Sequence, residues 1–499
     1  MNLLFCNKPV GIKSVFRKLR MTGASVLLML ALSPASLAVS TGNNLPDIGT
    51  AGLSALTLEK ERVIGDLSMR QIRGSYPLVH DPVLQEHLET VGYRIVTATK
   101  NPIHPFKFFW VNETSINAFA FFGGHIGVHV GLYLYADTES QIASVVAHEI
   151  AHVNQRHLAR RIESQMQNQP ATIGAALGSI ILAVIAPQAG IAALQTTLGV
   201  SQQMTINFTR KNEAEADRIG MQALVAAGYD PYAAADFFEK MAAQYRYVST
   251  PPAFLLTHPI PESRVADAEL RAQQFPRKAY PVSVDFEFAK ARIEARYSGK
   301  TAKIMEVEFE RRIKKKETSF EDSAIYGLAL AQFDAGNAKK ARATIKPLLT
   351  KYPRNLFVID AITDIDMSTG NQQAAEARLA DIYGYMPNNQ VITLNYANIL
   401  IQQNKTNEAV DILNRFRVKN PENMVALNLL SDAYQKQGNT AMHYSAMADR
   451  LALMLQYDQA ITMLERALRA TPDDNNIEIV KLEAKVRQFR NELARLKAM

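Results

Sequence analysis

Histidines 148 and 152 stand four residues apart with a glutamate beside the first, in the run His148-Glu149-Ile150-Ala151-His152. On a helix that spacing sets the two imidazoles about 40° apart on one face, where they can share a metal ion. Glu149 lies one position round, where its carboxylate can reach a metal-bound water without being a ligand itself. The residues upstream, Asp137-Thr138-Glu139-Ser140-Gln141, read as a helix start with Asp137 as N-cap and Glu139 in the first turn.

Two imidazoles leave a metal site incomplete, and the third ligand sorts the class. A metzincin needs a histidine six residues after His152 and a glycine three after it, but Leu158 and Gln155 stand there. His157 is one residue off, and on a continuous helix its angle points away from the metal face, so it reads as a solvated histidine. Glu213 is the better candidate, in the run Asn212-Glu213-Ala214-Glu215-Ala216-Asp217. Glu213 and Asp217 share a helix face at i, i+4, whereas Glu215 points elsewhere. Two histidines and a carboxylate leave tetrahedral zinc one open position, the catalytic arrangement. Asp217 is then placed to accept the free N–H of a ligating histidine and fix its tautomer.

The pairing of His-Glu-x-x-His with a downstream Glu-x-x-x-Asp resembles the peptidase family of the CAAX prenyl proteases and the HtpX heat-shock protease. Asn117-Ala118-Phe119-Ala120 followed by Gly123-Gly124 resembles that family's edge strand beside the active site. His258-Pro259 with Arg264 six residues later resembles its His-Pro-x-x-x-x-Arg element. The resemblance covers nearly all of residues 39–499 and is weaker over 276–322. It implies an α+β zincin-like metallopeptidase domain, mostly helical with a small sheet, followed by an all-α tetratricopeptide-repeat solenoid. It also implies one zinc ion per chain on His148, His152 and Glu213, with Glu149 and Asp217 catalytic. His258 and Arg264 either stabilise the oxyanion, or His258 fills the open metal position and latches the enzyme off. The activity implied is a periplasmic zinc-dependent endopeptidase with a chaperone role in quality control and assembly of outer-membrane β-barrel proteins. Unfolded outer-membrane proteins are then its clients, and the β-barrel assembly machinery is its partner through the repeats. The alternative is a chaperone or scaffold whose metal site is dormant or gated; the intact Glu149 argues against a dead site.

Length and charge bound this further. At 499 residues the chain exceeds one core, so two or three domains are expected. Residues 1–38 read as a signal peptide: a basic region from Lys8 to Arg20, an apolar run Ala24–Leu32, and Ser36-Leu37-Ala38 at the cleavage site. The whole chain is net +7, but that segment holds five basic and no acidic residues, so the remainder is only +2. A nucleic-acid role thereby loses its main support. The only cysteine, Cys6, falls in the same segment, which suits a disulfide-forming periplasm.

The elements that must position the motif follow from patterning. Residues 59–98 read as two helices, the second opening at Asp81-Pro82. Phe106–Val111, Ile116–Phe121 and His125–Leu134 read as strands of a small sheet. An edge strand carrying Asn117, Ala118 and Phe119 can pair with an extended substrate, although plain core strands give the same pattern. No charge occurs between Ser164 and Thr209, and Ile173–Ala186 is apolar but short for a membrane span. Residues 171–200 are therefore a lid or a peripheral membrane contact.

A peptidase domain over 39–275 is expected, then a linker with an atypical helical pair over 276–322, and repeats over 323–474. Within the repeats, proline turns at 353, 387 and 421 recur every 34 residues, as do Gly336, Gly370, Asn404 and Gly438. The next proline turn, at 472, comes 51 residues on, which implies one extra helix before a closing helix over 475–499. Tyr326, Tyr396 and Asn398 are expected to line a partner-binding groove, and a fragment ending near Arg271 to fold alone.

Overall fold

The computed structural model describes residues 56–168, 202–245 and 252–498. The signal-peptide and lid segments read from the sequence lie outside them. Helices α1 (Leu58–Ser75) and α2 (Pro82–Ala98) begin at capped ends. Thr57 accepts from the Lys60 amide, and Asp81 accepts from Val83 and Leu84 ahead of Pro82.

Strands β1 (Lys107–Val111), β2 (Ala118–Phe121) and β3 (His125–His129) make one sheet in the order β1-β3-β2. β1 runs parallel to β3 and β2 antiparallel to it, so β2 is an edge, as expected. The third apolar run does not stay extended to Leu134. It turns helical as α3 (Val130–Tyr135), because Gly131 tucks under the preceding loop and its amide donates to the Glu113 carbonyl at 3.0 Å. A Cβ there would meet the carbonyl oxygens of Thr114 and Ser115 at 2.2 and 2.5 Å.

Helix α4 (Glu139–Asn154) carries the histidine pair and is buried along almost its whole length. Its N-cap is Thr138, whose hydroxyl accepts from the Gln141 amide, and not Asp137. Asp137 is drawn off by Lys240, 2.7 Å away. The following helix, α5 (His157–Asn168), starts after a break at Arg156. Helix α6 (Gln202–Ala226) packs along α4. Gly220 permits this approach, since a Cβ there would lie 3.1 Å from the His148 amide nitrogen. Helices α7 (Ala233–Tyr245), α8 (Ala253–Thr257) and α9 (Glu262–Ala272) close this part of the molecule. Among the described residues, no helix is long and apolar enough to cross a membrane.

Helical hairpins follow from Val284–Tyr297 to Asn476–Ala498. Gly336, Gly370, Asn404 and Gly438 all take positive φ at their turns, which is why small or amide residues recur there. Three helices separate the turns at Pro421 and Pro472, as the spacing predicts, with Leu455 in the left-handed region where a proline turn would fall.

The array does not stand apart. The helix Gln390–Gln402 packs on α2, with Gln390 donating to Glu89 at 2.9 Å and Asn389 to Glu86 at 2.8 Å. Arg73 pairs with Glu422 at 2.9 Å, and Arg70 donates to the Tyr457 hydroxyl at 2.6 Å. One apolar cluster runs without interruption from Val79 through the sheet and α4 to Val391. One expectation is corrected here. Tyr326 and Tyr396 do not face a groove: Tyr326 is fully buried between Phe288 and Phe357, and Tyr396 packs on Tyr383. Asn398 is half-buried. A fragment ending near Arg271 would expose the faces that Phe286 and Phe357 cover, a cost that the expectation of independent folding leaves out.

His87 marks this junction, edge-on to Tyr133 of α3 and to Phe357 of the repeats. Burial pushes it down to about 4. The unfolded chain therefore binds a proton that the folded chain refuses, and stability is lost as pH falls from about 6.5 towards 4. We expect His87→Leu to flatten the fall in unfolding free energy between pH 6.5 and 4.5 by about 2 kcal/mol, read from denaturant titrations. An unchanged slope would exclude His87 as a contributor.

Candidate metal centre

α4 and α6 bring His148, His152 and Glu213 to one point, and the segment after α8 adds a fourth group, His258. One ligand atom from each lies within 4.8 Å of all the others, the spread expected of donors around a single ion. His148 Nε2 is 2.9 Å from His152 Nε2 and 3.2 Å from Glu213 Oε2. His258 Nδ1 is 3.1 Å from Glu213 Oε2 and 3.3 Å from His148 Nε2. Three imidazoles and a carboxylate, all largely buried, form a donor set of the borderline nitrogen-and-oxygen kind.

The surrounding charges fit a cation. Burial would raise the Glu213 carboxyl, but His258, His152 and His148 hold it well below the usual carboxylate range. Burial would likewise depress His148, yet Glu213 and Asp217 push it up to about 10. The Glu149 carboxylate is buried beside the cluster, its Oε1 3.4 Å from His258 Nε2.

Asp217 lies 2.9 Å from His148 Nδ1, on the side away from the centre. Arg264 sits behind both carboxylates. Its Nε and Nη2 each donate to Asp217 at 2.8 Å, Nη1 is 2.8 Å from Glu213 Oε2, and Nη1 also donates to the Pro259 carbonyl. A guanidinium committed in this way anchors ligands and does not face a substrate oxyanion, which corrects that half of the expectation.

His157 is also corrected. It is buried, with its Nδ1 2.8 Å from His152 Nδ1 and its Nε2 3.1 Å from Glu215 Oε2. Glu215 does point away from the centre, and it points at His157. The helical-angle reasoning fails because the helix is not continuous: Arg156 takes φ 52°, with its guanidinium on Glu61 at 2.6 Å. Nothing in local sequence marks the Arg156–Glu61 pair, since 95 residues separate its members.

Ala118 and Phe119 on β2, and Asn117 just before it, are all buried, and neither side-chain amide atom of Asn117 has a partner among the described residues. The chain leading into that strand is engaged by the segment carrying His258. The Phe254 amide donates to the Ile116 carbonyl at 3.2 Å.

Residues 82–272 match the model of peptidase family M48, and residues 367–423 match that of a tetratricopeptide repeat. A Vibrio cholerae relative, "Putative beta-barrel assembly-enhancing protease", is 42% identical over 85% of this chain and 87% of its own. The chain belongs to peptidase family M48. The "Beta-barrel assembly-enhancing protease" of Escherichia coli is 40% identical over 92% of this chain and 93% of its own. That of Yersinia pestis is 40% identical over 89% and 91%. This M48 peptidase therefore joins a metal-dependent protease fold to repeats, as its motifs indicate.

Proposed function

We propose that this M48 peptidase is a periplasmic zinc endopeptidase, its zinc held by His148, His152 and Glu213 and its activity gated by His258. The observation that carries the reading is the four-donor cluster with the Glu149 carboxylate beside it. Zinc bound there supplies a Lewis acid that acidifies water and polarises a peptide carbonyl. Glu149 takes the proton of the attacking water and delivers it towards the leaving amine. Asp217 holds His148 in the tautomer that leaves Nε2 free, and Arg264 holds Asp217 and Glu213 in place. An extended substrate pairs along the free side of β2, beside Asn117, Ala118 and Phe119.

The names of the relatives support work on outer-membrane β-barrel proteins during their assembly, with unfolded or misassembled forms as clients. The repeats hold protein partners, the assembly machinery among them, on surfaces other than the buried Tyr326 and Tyr396. A chaperone role fits the same placement, with proteolysis released on demand.

The gating reading draws on two contacts of one segment: His258 stands in the ligand set, and Phe254 is tied to Ile116, just ahead of the strand where a substrate would pair. Zinc-loaded His258→Ala is expected to cleave casein roughly tenfold faster than wild type, the effect of removing a closure of about 1.4 kcal/mol. Bound zinc, measured on the same sample, stays near one per chain. A clear fall in cleavage would assign His258 to oxyanion stabilisation instead.

A further inference from the structure

The geometry points to His157, relayed through Glu215, as the residue that fixes the tautomer and orientation of His152 towards a metal ion. This rests on the metal site proposed above and extends it to a residue outside the ligand set. His152 turns Nε2 to the centre, 2.9 Å from His148 Nε2 and 3.3 Å from Glu213 Oε1. Its Nδ1 faces the other way, 2.8 Å from His157 Nδ1. Two ring nitrogens at that distance share one proton, with one ring donating and the other accepting. A metal at Nε2 needs that lone pair, so the proton sits on Nδ1 of His152 and the acceptor is Nδ1 of His157. The proton of His157 then lies on Nε2 and is donated to Glu215 Oε2 at 3.1 Å. Arg160 Nη2 holds that carboxylate oxygen at 2.9 Å. Each donor in the chain has one acceptor, so the hydrogen-bond direction is set from Arg160 and Glu215 inward.

The two rings meet edge to face, 80° apart with centroids at 4.7 Å, so their faces do not stack. The approach is built by the chain. Arg156 interrupts the helix at φ 52° and is tied to Glu61 and to the Leu56 carbonyl, so His157 falls back across the end of α4. His148 has its carboxylate directly, in Asp217 at 2.9 Å. His152 has its carboxylate one ring further out.

The test uses the full chain, with zinc affinity read by competition against a chromophoric chelator and ligand geometry read from the visible absorption of the cobalt(II) form. His157→Asn keeps an acceptor where Nδ1 stood. His157→Gln places its amide where Nε2 stood, keeping the Glu215 contact and losing the one to His152. The relay predicts that His157→Gln weakens zinc binding about tenfold or more and alters the cobalt spectrum, the usual scale for a lost outer partner of a ligating histidine. His157→Asn stays within about threefold of wild type with an unaltered spectrum. Equal affinities for all three proteins, or equal losses in both variants with lowered melting temperatures, would show that His157 only packs and would overturn the relay. A wild-type chain that takes up neither ion would overturn the metal site itself, and that failure is told apart from failure of the relay by the wild-type titration alone.

Discussion

Glu149→Gln is expected to keep about one zinc per chain while peptide hydrolysis falls at least roughly 10²-fold, the scale of a lost general base. The substitution is nearly isosteric and leaves His148, His152, Glu213 and His258 untouched, so the donors stay within reach of one another. What it removes is a buried carboxylate next to the cluster. Casein digestion and metal content on one preparation decide it. Undiminished hydrolysis would remove Glu149 from the mechanism, and lost zinc would show that it helps to hold the ion. His148→Ala, by contrast, should lose both the metal and the activity. Refolding or assembly assistance that survives Glu149→Gln would separate a chaperone role from the cleavage.

Arg292→Met should destabilise the whole chain by about 3–5 kcal/mol, because it strands two buried acids. Arg292 is nearly inaccessible and lies 2.6 Å from Asp81 and 2.8 Å from Asp360. Asp81 caps α2 of the peptidase part, Arg292 lies on the first helix after it, and Asp360 lies in the repeats. The guanidinium thus ties three segments of chain at one buried point. Denaturant unfolding measures the cost, and adding Asp81→Asn and Asp360→Asn to Arg292→Met should recover part of it. A single variant within about 0.5 kcal/mol of wild type would contradict the view of peptidase and repeats as one cooperative body.

The sequence carried the parts of this molecule whose signals are periodic or local. The i, i+4 histidines, the cap Asp81 ahead of Pro82, and the 34-residue recurrence of turn residues each rest on a few neighbours, and each is found where expected. The residues whose surroundings depart from local expectation are set at long range. Asp137 lost its cap role to Thr138 because Lys240 competes for it. His157 was placed by an unbroken helix that Glu61, far away in sequence, helps to break through Arg156. The hairpin positions of Tyr326 and Tyr396 suit a groove, but an aromatic ring on a repeat helix serves equally well as core, and both are buried. The resemblance of His258-Pro259 and Arg264 to a family element marks His258 and leaves two roles open; its position between Glu213 and Glu149, with Phe254 of the same segment bonded to Ile116, favours the latch.

The central claim is that His148, His152, Glu213 and His258 hold one ion. X-ray absorption at the zinc edge, on zinc-loaded wild type and His258→Ala, tests it most directly. The account predicts a four-coordinate site in which three imidazoles contribute in the wild type and two in His258→Ala, with zinc still bound. Identical spectra for the two proteins would contradict it.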